Sequence, residues 1–216
     1  MQNQLSLTSK QRKRPDRRVL RTRSMLREAF VALLLEKDFD TISIQEITDR
    51  ANLGRATFYL HYRSKEELLT ECIEFLVEDF IQRMQVFPPE KWSFTEIAPL
   101  VAVFVYARQQ NELYRVLMRG SAGIIASRRL HELIVEHSQQ TWQNQLKEIQ
   151  LLPKLPLDFM SNYFAGSLLA LVFWWLESGS TYSEEEMAKM FRQIYLYGQA
   201  NMLYENQPQL SHQMDS

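Results

Sequence analysis

Apolar side chains recur along most of this chain at steps of three and four residues, the interval at which one face of an α-helix returns to the same side. Val19, Leu26, Phe30 and Leu33 form the first such stripe and predict a helix from about Asp16 to Glu36, interrupted by Phe39-Asp40-Thr41. Ser43 and Glu46 then stand at the spacing of a capping box, in which each side chain satisfies the other's orphan amide. The short helix they open carries Ile44, Ile47 and Ala51. Asn52-Leu53-Gly54 offers residues that tolerate the backbone angles of a tight reversal, and Arg55 to Tyr62 follows as a second short helix. Phe58 and Leu60 are expected in its core. Ser64 and Glu67 repeat the capping spacing and start a long helix to about Phe87, with Leu68, Leu69, Cys72, Leu76, Phe80 and Met84 on one stripe and Pro88-Pro89 at its end. Further helices are expected at Phe94–Gln109, Glu112–Arg119, Ser127–Gln150, Leu157–Ser178 and Ser183–Tyr204. Strand alternation is nearly absent, so the fold class is all-α. Two short helices joined by a tight turn, with the small Ala51 where they cross, form a helix-turn-helix within an N-terminal three-helix unit.

Charge divides the chain in a way its net value of -1 conceals. Residues 1–65 hold 14 Lys and Arg against 7 Asp and Glu, whereas the other 151 residues hold 11 against 19. A basic segment joined to an acidic body points to a polyanion at one end only. The expected organisation is a flexible basic arm over 1–15, a helix-turn-helix domain over 16–64, a helical domain over 65–205 and a disordered polar tail over 206–216. Composition, at 45% hydrophobic and 24% charged, suits a soluble globular protein. The lone Cys72 rules out an internal disulfide and favours a reducing, cytoplasmic setting. The N-terminus shows no signal-peptide pattern. The apolar stretch Tyr163–Leu176, 14 residues long, is too short for a bilayer and suits a buried helix. No paired-carboxylate motif, glycine-rich phosphate loop or metal-ligand spacing is present, and the histidines at 61, 131, 137 and 212 are scattered. Neither an enzyme, a cofactor nor a metal site is expected.

Within this pattern, Ile44-x-x-Ile47-x-x-x-Ala51-x-Leu53, Thr57-Phe58-Tyr59-x-His61-Tyr62 and Ser64-Lys65-Glu66-Glu67-Leu68-Leu69 occur in order. The run closely resembles the DNA-binding domain of the TetR family of bacterial repressors, over residues 17–75. The second short helix of a helix-turn-helix enters the major groove by its N-terminal end. Those residues are Arg55, Ala56 and Thr57: arginine can donate twice to guanine, and a threonine methyl can touch a thymine methyl. Tyr59, His61 and Lys65 can be placed near phosphates, and the resemblance implies the same role for them. It also implies that Ser43 lies at the phosphate backbone and Gln45 at the bases. Arg17, Arg18 and Arg21 either touch the DNA or only raise the local potential.

For the remainder, the resemblance implies a helical ligand-binding and dimerisation domain. The body is rich in aromatics, most of which any bundle of this size needs for its core, and Tyr106, Tyr114, Trp142 and Tyr163 are the candidates to line a pocket for a small apolar or aromatic ligand. Glu96, Glu112, Glu132 and Glu136 are either partners for a cationic ligand or surface glutamates. Leu157–Leu176 is apolar nearly all round, which requires burial on two sides. Phe173 on that helix and Met187, Met190, Phe191 and Ile194 on the next are expected in a homodimer interface. The expected partners are thus a double-stranded DNA operator, a second copy of the chain and a ligand, with no membrane. The expected function is a repressor released from a pseudo-palindromic operator; the alternative keeps the DNA-binding domain and gives the body a protein partner.

Overall fold

A computed structural model describes residues 17–85, 97–117, 120–148, 150, 153 and 155–197. The expected arm, the tail and the Pro88-Pro89 stop lie outside these residues. In chain order the helices are α1 (Arg17–Glu36), α2 (Ile44–Arg50), α3 (Arg55–Tyr59), α4 (Lys65–Met84), α5 (Ala98–Gln109), α6 (Asn111–Leu117), α7 (Gly120–Glu148), α8 (Leu157–Glu177) and α9 (Glu184–Tyr197). A single 3₁₀ turn, Phe39–Thr41, separates α1 from α2, and among the described residues no strand occurs.

Local chemistry sets several of these boundaries. Ser43 Oγ accepts from Glu46 N at 3.3 Å while the Glu46 carboxylate accepts from Ser43 N at 2.9 Å, the reciprocal cap expected for α2. Ser183 and Glu186 make the same pair ahead of α9. At α4 the cap is displaced by one residue: Ser64 Oγ accepts from Glu67 N, but Glu67 accepts from Arg63 N at 2.7 Å. Asn52 adopts φ 54°, and the chain reverses there between α2 and α3.

Two elements depart from the sequence pattern. α3 stops at Tyr59, and Leu60, expected in the core, is 82% exposed. Phe58 and Tyr62, four residues apart, both face inward with ring centroids 5.6 Å apart. Leu60 lies two residues from each and therefore turns to the opposite side. α7 begins at Gly120, seven residues before the expected Ser127. Gly120 and Gly123 argue for a loop on propensity, yet Ala122 and Ala126 are fully buried in the core shared with α1 and α4, and tertiary packing overrides the propensity.

The core of the N-terminal unit does not close on itself. Leu26, Phe30, Ile47, Phe58, Leu68 and Ile73 share one apolar cluster with Ala122, Ala126 and Leu130 of α7 and Leu169 of α8. A second cluster joins Phe104 of α5 to Leu168, Val172 and Trp175 of α8 and to Met187 and Phe191 of α9. This corrects part of the expected dimer interface. Met187 and Phe191, 2% and 3% exposed, are core residues of one subunit, and Phe173 is partly buried against Tyr114. Met190 and Ile194 remain exposed on α9, as do Phe159, Tyr163 and Trp174 on α8. At 21 residues α8 is long and apolar enough to cross a membrane by length and composition alone; here its inner side carries Leu168, Val172 and Trp175 of the second cluster.

Candidate functional site

The second helix of the helix-turn-helix presents its first turn outward. Gly54 precedes α3 without a side-chain cap; Arg55 and Ala56 are exposed, Thr57 is half-buried and Tyr59 is exposed. Phe58, fully buried between them, fixes the helix to the core and so aims its neighbours. His61 is half-buried with its ring beside Tyr62, centroids 6.4 Å apart. Leu60, exposed beside Tyr59, is the large apolar side chain on this surface that periodicity alone assigned to the core.

Two expected phosphate contacts are committed within the protein instead. Lys65 Nζ donates to the carbonyl oxygens of Phe39 at 2.8 Å, Asp40 at 3.2 Å and Ile42 at 2.9 Å, and lies 4.5 Å from the Phe39 ring centroid. An ammonium has three protons, so this geometry leaves none for a phosphate. Lys65 clamps the start of α4 to the 39–42 turn. Ser43 has a single hydroxyl proton, which it gives to Glu46 at 2.8 Å. Gln45 is exposed, and its amide nitrogen donates to Asp49 at 2.6 Å.

Other cations of the basic segment are also internal. Arg23 and Arg27 both reach Glu71, tying α1 to α4. Arg50 makes a two-pronged pair with Glu36, both bonds at 2.6 Å, tying α2 to α1. Lys37 pairs with Glu46. The Lys37 ammonium, helped by the amide and hydroxyl of Ser43, holds the Glu46 carboxyl down to about 2. Arg17, Arg21, Arg55 and Arg63 are exposed, and exposed cations attract a phosphate backbone.

The body meets this unit at the 39–42 turn. The Ser121 hydroxyl donates to the Asp40 carboxylate, and Gly120 has φ 57° with a position for a Cβ only 3.3 Å from that carboxylate. Further along α7 and α4 a cavity of about 190 Å³ opens between α4, α5, α7, α8 and α9. Tyr106, Tyr114 and Trp142 line it. Tyr106 hydroxyl donates towards Leu76 O at 2.9 Å and lies 3.0 Å from Asp79 Oδ2. Tyr163 is not among the lining residues: it sits on the open face of α8 with its ring stacked on Tyr195 at 6.2 Å. Of the glutamates, Glu112 and Glu136 are exposed, Glu132 pairs with Arg128 and Arg129, and none of the three lines the cavity. Among the described residues no group of three or more His, Cys, Asp or Glu could hold a metal.

An outward recognition helix on a braced three-helix unit, joined to a helical body, defines a helix-turn-helix transcriptional regulator, a class distinct from enzymes. The sequence pattern described as "Bacterial regulatory proteins, tetR family" matches residues 26–72, and one described as "Transcriptional regulator C-terminal region" matches residues 98–196. The chain belongs to the TetR family. It is 30% identical over 186 residues to an uncharacterized HTH-type transcriptional regulator, YxbF, of Bacillus subtilis, a match covering 84% of this chain and 46% of that protein. The chain thus spans less than half the length of that relative. Its fold is similar to that of a TetR-family regulator from Syntrophomonas wolfei (TM-score 0.65, 17% identity, covering 81% of this chain and 92% of that one). It is also similar to the regulator FadR of Bacillus subtilis in complex with stearoyl-CoA (TM-score 0.60, 15% identity, covering 81% and 98%).

Proposed function

We propose that this chain is a cytoplasmic, dimeric repressor that grips a pseudo-palindromic operator through α3 and releases it when a small apolar or aromatic ligand fills the cavity. The observation that carries this reading is that single helices run from one site to the other. α4 is tied to the 39–42 turn by Lys65 at its first residue and lines the cavity with Leu76, Val77 and Phe80. α7 meets the same turn through Ser121 and lines the cavity with Leu130, Leu133 and Trp142. A ligand that changes the packing around either helix thereby biases the position of the DNA-facing unit, a shift between two arrangements. The bound acyl-CoA of the FadR neighbour is consistent with a body of this shape accepting a ligand.

On the DNA side, Arg55, Ala56, Thr57 and Gln45 are assigned to the bases and Tyr59 and His61 to the backbone, with Arg63 and Arg17 adding phosphate attraction. Footprinting wild type and Arg55→Ala on DNA flanking the chain's own gene tests this. The substitution is expected to weaken the protected site by about 1–3 kcal/mol and to relax preference at one base pair of each half-site. Unchanged affinity and sequence preference would remove α3 from the bases.

A further inference from the structure

The cavity wall carries a charge. Arg192 of α9 lines it, and the Arg192 Nε is buried without a hydrogen-bond partner. No carboxylate of the described residues pairs with this guanidinium, and none of the described residues lining the cavity is Asp or Glu. Arginine stays protonated in a protein, and buried donors in folded chains are almost always satisfied. Another lining group that can carry positive charge is His137 of α7, and burial lowers its pKa, which disfavours the charged form. The Ser138 hydroxyl on the same wall donates to Val135 O at 3.1 Å. The rest of the lining is hydrocarbon and aromatic, with Leu100, Val103, Leu133, Phe164 and Val172 among it.

From this we infer that the ligand of the cavity is a compact amphipathic anion, a carboxylate or an equivalent acid whose head pairs with Arg192 and whose apolar body fills the space between α4, α5, α7 and α8. Two properties of the site set this class. A wall whose described residues include a guanidinium and no acid selects an anion over a neutral or cationic molecule of the same shape, and the carboxylate supplies the acceptor that Arg192 Nε lacks. A space of about 190 Å³ lies below the roughly 300 Å³ at which sites for drug-sized molecules begin. It therefore suits a single aromatic ring or a medium-length chain. The negative surface of the body, including Glu112 and Glu136, faces water and does not set this preference.

The inference rests on the proposed ligand-responsive role of the body, and ligand binding is measured apart from operator protection so that the two can fail separately. The full-length protein is titrated with octanoate, 1-octanol and octylammonium, which share one chain and differ in head charge. Binding is read by thermal shift and by the intrinsic fluorescence of the four tryptophans, of which Trp142 stands in the cavity wall. Octanoate is expected to bind about tenfold or more tightly than the alcohol, and the amine more weakly than either. Arg192→Gln is expected to bring acid and alcohol within about threefold of each other, and Arg192→Lys to restore part of the preference. Retained binding of 1-octanol by Arg192→Gln shows that the cavity survives the substitution. Equal binding of the three heads to wild type, no binding of octanoate, or an unchanged acid preference in Arg192→Gln overturns the anion assignment. A protein that binds octanol but not octanoate, and still protects its operator, keeps the proposed function and loses only this ligand class.

Discussion

Lys65 occupies a motif position that resemblance assigns to the DNA backbone, yet its ammonium is surrounded by the carbonyl oxygens of Phe39, Asp40 and Ile42. The two roles give different mutants. Removing a phosphate contact lowers the salt dependence of DNA binding by about one unit and leaves the fold alone. Removing an internal clamp destabilises the fold. Lys65→Ala is therefore expected to lower unfolding stability by about 1–3 kcal/mol, since hydrogen bonds to a charged group are lost. Its operator affinity should fall while the slope of log affinity against log salt stays at the wild-type value. Denaturant titration together with binding at several salt concentrations separates the two; a slope reduced by one unit in a protein of unchanged stability would return Lys65 to the phosphates. The sequence could not reveal this, because the three acceptors lie 23 to 26 residues away and belong to a turn whose path spacing does not specify. The same reason hides the internal pairs of Arg23, Arg27, Lys37 and Arg50, which take part of the basic segment's charge away from any DNA. Arg55 was legible because an exposed first-turn residue follows from local pattern alone.

Elements whose ends depend on neighbouring residues are legible in the sequence. α1, α2, α8 and the starts of α4 and α9 fall within a residue or two of the boundaries that caps and periodicity predict. The first turns of α7 are not legible in the sequence, because the buried Ala122 and Ala126 belong to a core that also contains α1 and α4, which no local window contains. The α2 cap also makes a prediction. Glu46 has its carboxyl lowered from 4.5 to about 2 by Lys37 first and by Ser43 second. A group with a depressed folded pKa adds stability that is complete above its unfolded value and disappears as the pH falls through the folded one. Glu46→Gln keeps the shape and loses the charge. Its melting temperature is expected to lie below that of wild type at pH 6, with a gap that narrows between pH 4.5 and 2. Melting curves of the two proteins across that range check this, and a gap that stays constant would mean that the charged cap and its Lys37 pair contribute nothing to the fold.

At the scale of the whole molecule, a helix apolar nearly all round needs two covers, and the described residues of this chain supply only the inner one. The sequence placed a stripe on α9 but could not tell its inner from its outer members, because Met187, Met190, Phe191 and Ile194 lie close together in the chain while their separate sides are fixed by α5 and α8. In the folded chain Met187 and Phe191 belong to the subunit core, while Met190 and Ile194 share the outward surface with Phe159, Tyr163 and Trp174. A pseudo-palindromic operator requires two copies of α3 about 34 Å apart, on successive major-groove turns, and therefore a dimer. Ile194→Arg places a charge where the proposed partner sits and where the isolated subunit faces water. It is expected to raise the dimer dissociation constant by about thirtyfold or more, the effect of losing about 2 kcal/mol at the centre of an interface, with unchanged helical content. Phe191→Arg puts the same charge into the core and is expected to unfold the body. Sedimentation and circular dichroism on both proteins distinguish the two surfaces. A folded monomer from Ile194→Arg that no longer protects a full operator ties dimerisation to α8 and α9, whereas a stable Ile194→Arg dimer would move the interface elsewhere and leave the outer side of α8 without its cover.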